Sequence, residues 1–293
     1  MNWKFSTSKE LLALSAEFGR GLPAYLLARE AFYSGKAEPE IRNEIAHRIR
    51  VTRASLERGI AEPQRSFSGM TKGAAAALAA SPSWPVDDEF FRKALTYALA
   101  VNEVNACGGR IVAFPTAGSC GIVPGVLWAW KDVREPELTP DSPAFQDAFL
   151  VSSAVGILIA LRATLAGAAG GCQAECGAAG AMAAAGLSTL MGADPETAFD
   201  AAALSLKNSL GLACDPVAGL VEVPCVKRNA FLAANAITAV SLSQAGIRSV
   251  IPFDEVVGAM KAIGDAMPAS IRESAEGGLA KTLTGMTYWE KIR

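Results

Sequence analysis

This chain of 293 residues holds six cysteines, and three of them stand in unusual company. Cys172 lies in Gly170-Gly171-Cys172-Gln173-Ala174-Glu175, Cys214 in Gly211-Leu212-Ala213-Cys214-Asp215-Pro216, and Cys225 between Pro224 and Val226-Lys227-Arg228-Asn229. Each falls where the helical pattern breaks, and there a thiolate can be stabilised and presented. The free amides and positive dipole end of a helix start favour thiolate over thiol at Cys172, and Lys227 and Arg228 do the same for Cys225. Asp215-Pro216 fixes the turn after Cys214. Three thiolates can hold a [4Fe–4S] cluster and leave one iron free for another ligand.

Spacing alone leaves other readings open. Free cysteine is among the most buried residue types and packs as a small hydrophobe. The intervals between Cys172, Cys176, Cys214 and Cys225 are 3, 37 and 10 residues. They match neither the short cysteine pairs of structural zinc sites nor a ferredoxin string. A disulfide framework is not expected, because Met1 to Glu10 is charged and lacks the apolar core of a signal peptide.

Two segments offer hydroxyls and amides. Thr116-Ala117-Gly118-Ser119 follows a short apolar run and precedes a helix expected from near Val123, a setting that suits an anion such as a carboxylate. Thr116 and Ser119 are the candidate catalytic hydroxyls and Gly118 a candidate substrate contact, against plain turn and cap chemistry. Ser66, Ser68 and Gly69 form a second candidate substrate loop within residues 66–73. His47, the one histidine, reads as a solvated residue on a charged helix face. Lys207 reads as a helix C-terminal cation.

The elements that must position these residues read as helices. Ser142-Pro143 caps a run continuing to about Ala166, and Asp194-Pro195-Glu196 opens a helix that Gly211 closes. Asp87-Asp88-Glu89 and Asp254-Glu255 open two more. Ile111 to Phe114 and Ser249 to Pro252 are the only strand-like runs, both short and isolated. The expectation is an all-α fold with a single large helical catalytic domain and Ala/Gly-rich core helices. Residues 1–62 are expected to form amphipathic helices packing on that body, residues 63–293.

A net charge of −2 leaves no basic surplus for phosphates, so no nucleic acid is expected as a partner. Mean hydropathy of +0.26 raises the membrane question. The most apolar run, Phe149 to Leu161, is interrupted by Arg162 and is shorter than the ~20 residues a bilayer needs. The expectation is a soluble, cytoplasmic protein with no membrane partner.

Five stretches resemble the iron–sulfur L-serine dehydratase family, specifically its alpha chain. They are Gly170 to Glu175, Leu206 to Leu212, Cys214 to Ala230, Asn102-Glu103-Val104-Asn105-Ala106 and Pro115 to Ser119. The resemblance implies cluster ligands at Cys172, Cys214 and Cys225 and deamination of L-serine to pyruvate and ammonia without pyridoxal phosphate. It implies a separate beta chain, or else a homo-oligomer, and with a single histidine here, a catalytic histidine supplied by that partner. Phe67 and Lys72 depart from the family pattern, where a polar residue (often His) and Gly are expected, so another small amino acid such as threonine or cysteine is an alternative substrate. Cys176, one helical turn after Cys172, would close the cluster as a fourth ligand and make a redox protein instead; packing is its default reading, as it is for Cys107 and Cys120.

Overall fold

The computed structural model describes residues 2–292, so the outermost residues of the two expected segments, Met1 and Arg293, lie outside it. In chain order the helices are α1 (Ser8–Phe18), α2 (Leu22–Ser34), α3 (Glu38–Ala61), α4 (Ala74–Ala79), α5 (Glu89–Ala106), α6 (Ile122–Arg134) and α7 (Pro143–Arg162). They continue with α8 (Gly167–Gly170), α9 (Ala178–Leu190), α10 (Pro195–Lys207), α11 (Cys225–Gln244), α12 (Phe253–Ala266) and α13 (Leu283–Ile292). No strand forms among the described residues, and the only β pairings are isolated bridges, Arg65 with Lys72 and Cys214 with Arg272. The all-α expectation holds.

Local chemistry explains most helix starts. The Asp88 carboxylate accepts from Phe91 N at 2.8 Å and Asp194 from Thr197 N at 2.6 Å, each satisfying a first-turn donor. Thr7 and Glu10 form a reciprocal capping box on α1. Three boundaries differ from expectation. Helix α7 stops at Arg162 rather than near Ala166, and α10 ends at Lys207, with turns filling the stretch to Gly211. Helix α12 begins at Phe253, and Asp254 caps another helix: its carboxylate accepts from Ser8 N at 2.8 Å and from Ser8 Oγ at 2.8 Å.

Helix α9 occupies the centre, packed by α6, α7, α10 and α11, and every residue in it except Thr189 is buried. Its Ala/Gly composition lets neighbours approach closely. A methyl group built on Gly186 would lie 2.2 Å from Ser152 Oγ and 2.9 Å from the Ala148 carbonyl of α7. Helix α7 is long and apolar enough to cross a membrane by length and composition, which the shorter run Phe149 to Leu161 does not convey. It serves as a core helix, with 61% of its apolar window buried.

The N-terminal helices share the main core: Leu11, Leu22, Tyr25, Ile49 and Leu56 cluster with residues of α5 through α12. Arg42–Asp147 and Arg53–Asp132, both at 2.6 Å, clamp α3 against α7 and α6. Trp128 Nε1 donates to Thr52 Oγ1 at 2.9 Å across the buried α3–α6 contact. These pairs fix orientation, while apolar burial at roughly 25 cal/mol per Å² supplies the stability.

Candidate functional site

Cys172 sits between α8 and a π-helical turn, Gln173–Gly177, that runs into α9. Gly171 before it has φ +75°, and a side chain there would meet Met267 Sδ at 2.6 Å and the Leu212 carbonyl at 2.9 Å. Glycine is therefore required on both conformational and steric grounds. Gln173, fully buried, ties this turn to its surroundings: Oε1 accepts from Gly211 N at 3.0 Å and Nε2 donates to the Met260 carbonyl at 2.9 Å.

Cys214 lies in an extended stretch crossed by the chain after α12. Its N–H donates to the Ile271 carbonyl at 2.8 Å, and its carbonyl accepts from Glu273 N at 2.6 Å. Asp215 holds the same crossing segment by accepting from Leu279 N at 2.9 Å. Cys225 is the first residue of α11. Asn229, one turn on, donates to the carbonyls of Cys225 and Gly118, both at 2.9 Å, and accepts from Gly121 N at 2.9 Å. Asn102 Nδ2 also donates to the Gly118 carbonyl at 2.9 Å. Cys225 and the 116–121 turn are thus fixed to one another.

The three elements bring their sulfurs together, and Cys176 joins them. The Cys172 thiol lies close to those of Cys176 and Cys214 and to the Arg228 guanidinium, and all four cysteines are buried. Hydrogen bonds from Cys176 and Cys214, with the Arg228 charge, hold Cys172 well below the usual thiol range. The other three move the opposite way. Hydrogen bonding to the Cys172 thiolate and then burial raise Cys176 and Cys214, and burial together with the Cys172 charge pushes Cys225 up to about 12. Each further thiolate is opposed by the like charge of Cys172 in a low-dielectric site. Four convergent sulfurs that can all ionise only against added positive charge are a donor set suited to an iron–sulfur cluster.

Oxygen ligands border the sulfurs. Glu175, Cys214 and Glu273 offer atoms within 4.8 Å of one another, a possible metal-binding group. Burial raises the Glu175 carboxyl to about 7 against a hydrogen bond from Thr116, and the charges of Cys172 and Glu273 push the same way as burial. Arg228 donates to the Ala213 carbonyl at 2.6 Å and to Asp215 at 3.2 Å, so its position beside Cys172 is fixed from both sides.

The hydroxyl candidates divide. Thr116 reaches Glu175 and lies 3.0 Å from Ser119 Oγ, while a Cβ on Gly118 would be 3.9 Å from the Glu175 carboxylate. Thr116 and Gly118 therefore border the sulfur site. Ser119 is fully buried, and its hydroxyl donates to the Phe114 carbonyl at 2.9 Å, which shapes the turn. The Ser66 and Ser68 hydroxyls both donate to Glu222, and Gly69 takes φ +72° at the loop's turn. Phe67 projects into solvent at 94% exposure. His47 is exposed on α3, Cys120 is buried beside Asn102, and Lys207 Nζ donates to the Ser249 carbonyl rather than to its own helix end. Sequence reasoning misses Glu273, and it passes over Glu175 and Glu222 although both lie inside the quoted cysteine motifs.

Fold and site together define an all-helical protein with a buried, cysteine-rich centre edged by carboxylates. The profile of the serine dehydratase alpha chain family matches residues 11–280, and the chain belongs to that family. It is 42% identical to a probable L-serine dehydratase, alpha chain, of Bacillus subtilis (strain 168), across 98% of this chain and 95% of that one. It is 40% identical to the L-serine dehydratase, alpha chain, of Peptoniphilus asaccharolyticus, across 98% and 97%. Against L-serine dehydratase 1 of Escherichia coli (strain K12) it is 37% identical, covering 95% of this chain and 62% of that longer protein.

Proposed function

We propose that this chain is the alpha chain of an L-serine dehydratase, converting L-serine to pyruvate and ammonia in the cytoplasm, with a [4Fe–4S] cluster held by Cys172, Cys214 and Cys225. The observation that carries this reading is the meeting of those three thiols, from three separate segments, in one buried site beside Arg228. When bound, such a cluster with one iron free of cysteine supplies a Lewis acid for the departing hydroxyl of the substrate. Loss of water leaves an enamine; its imine form is hydrolysed to pyruvate and ammonia, and no pyridoxal phosphate is called for.

The chain's own residues bind and orient. The Thr116 hydroxyl and the turn through Gly118 receive the substrate carboxylate, with Ser119 holding the turn. Glu273 presents a carboxylate toward the substrate ammonium, with the Glu175 oxygens beside it. The segment from Met267 to Ala280 crosses over Cys214 and limits water entry. Residues 63–293 carry this apparatus, and residues 1–62 pack on that body through the shared core. The acceptor of the α-proton is either Glu175 or a group on a separate beta chain, since the one histidine, His47, is exposed on α3.

One observation favours a rival. Cys176 lies close to Cys172, so a fourth sulfur is at hand to close the cluster and make a redox centre. The deciding experiment is pyruvate release by anaerobically reconstituted protein, alone and with a candidate beta chain, together with the cluster's electron paramagnetic resonance before and after L-serine. A substrate-dependent spectral change, loss of it in Cys214→Ser and its survival in Cys176→Ser are expected. Full activity in Cys214→Ser sinks the ligand assignment, and a spectrum indifferent to serine favours the closed cluster.

A further inference from the structure

Glu222 is 5% exposed, and its partners are hydroxyls rather than a cation. Its carboxylate accepts from Ser66 Oγ, from Ser68 Oγ at 2.9 Å and from Thr71 Oγ1 at 3.0 Å, all three on the loop between α3 and α4. The loop closes on itself through the same atoms: Thr71 N donates to Ser66 Oγ at 3.2 Å and Met70 N to Ser68 Oγ at 3.0 Å. A buried carboxylate without a cation needs these donors, and the Ser66 and Ser68 hydroxyls, themselves 3.2 Å apart, converge on it. Carboxylate and loop form a unit in which each side depends on the other.

The unit is attached to the sulfur site at three points. Glu222 lies three residues before Cys225, and its carbonyl accepts from Val226 N at 3.0 Å in the first turn of α11. Its neighbour Val221 reaches the other side of the site, where Val221 Cγ1 would be 3.1 Å from a Cβ on Gly118. Met70 of the loop lines a cavity of about 220 Å³ with Val217 and Val223 of the Cys214–Cys225 segment and Leu279 of the crossing segment.

We infer that Glu222 is a positioning residue for the dehydratase reaction: it registers the 65–72 loop on the Cys214–Cys225 segment, and that register sets how the loop meets the amino-acid substrate. The inference rests on the function proposed above. It also assigns Ser66 and Ser68 an indirect part, since their hydroxyls hold Glu222 and their effect on substrate runs through loop position. Phe67, at the loop's exposed tip, is carried by the same register.

The test uses reconstituted holoenzyme with Glu222→Gln, Glu222→Asp, the loop-side pair Ser66→Ala/Ser68→Ala, and the combination of that pair with Glu222→Gln. Glu222→Gln keeps the shape but removes the charge that the three donors face, and roughly a tenfold or greater loss in kcat/KM for L-serine is expected. The loss falls mainly on KM, while iron content and the resting cluster spectrum match the parent. Glu222→Asp keeps the charge and recovers part of the loss. The serine pair reproduces it, and the combined variant is no worse than either, as for one shared interaction. Hydrogen exchange of amides 66–72 rises in each. Unchanged KM in Glu222→Gln, additive losses in the combined variant, or loss of cluster with unchanged loop exchange would each overturn the inference. If the parent enzyme fails to turn over serine, the proposed function falls, and the exchange measurement still decides whether Glu222 holds the loop.

Discussion

Replacing Gly171 by Ala tests how the backbone delivers Cys172. Two terms add. Gly171 combines φ +75° with ψ −177°, a region essentially closed to residues with a side chain, and a non-glycine residue there costs about 1–3 kcal/mol. The new methyl also meets Met267 Sδ at 2.6 Å and the Leu212 carbonyl at 2.9 Å. Met267 is a flexible side chain and can swing aside. Leu212 cannot, because its carbonyl accepts from Gln173 N at 3.2 Å and its backbone leads directly to Cys214. Overpacking of this kind costs roughly 1–3 kcal/mol, and with Met267 yielding we expect a total of about 2–4 kcal/mol. Gly192→Ala is the reference for a positive-φ glycine in open space, since Gly192 has φ +78° with nothing within 4 Å of a new methyl, and it should lose only about 1–2 kcal/mol. Urea unfolding of the metal-free, reduced proteins gives both numbers from midpoint and slope. Iron bound per chain then reports whether Cys172 and Cys214 still meet, and a drop is expected only for Gly171→Ala. The reasoning is refuted if Gly171→Ala costs no more than Gly192→Ala.

Two further outcomes follow from buried or capping carboxylates. Glu103 is fully buried and accepts from Ala74 N at 2.7 Å and Ala75 N at 2.9 Å, so Glu103→Ala should destabilise by about 3 kcal/mol and release α4; an unchanged urea midpoint would contradict this. Asp194→Ala removes an N-cap and should cost about 1 kcal/mol at neutral pH. The hydrogen bond from Thr197 N holds Asp194 below its ordinary 3.8, so its contribution is present above that value and lost as pH falls through the depressed one. The variant and parent curves of stability against pH should therefore converge at low pH, and a constant gap would contradict the assignment.

Helix starts are legible in the residues because capping is local: Asp88 and Asp194 act on amides three residues away. Asp254 shows the limit, since its carboxylate serves Ser8 at the far end of the chain, a pairing that no window of sequence contains. The three cysteine segments stand out for the same local reason, as breaks in a helical pattern. Cys176 reads as one ordinary turn from Cys172, but the turn is π-helical, and only the fold brings its thiol against its neighbour. Glu222 is harder still. It looks like one more acidic residue before Cys225, and its meaning lies in hydroxyls from a loop separated from it in sequence by α4 through α10. Glu273 arrives at the site on a segment with no motif, held there by main-chain bonds to Cys214.

The crowding around α9 bears on how this chain can vary. Most cores drift by trading methylenes, losing one here and gaining one there. Outside Met182, Leu187 and Leu190, the alanines and glycines of α9 have almost nothing to lose, and a gain at Gly186 runs into the backbone of α7. A saturation map of residues 178–190 should therefore read as a band sorted by size, with Ser accepted for Ala while Val and Leu are rejected, and with little regard for polarity. Likeness between two proteins confined to such a band would report the distance between helices and say nothing of the reaction.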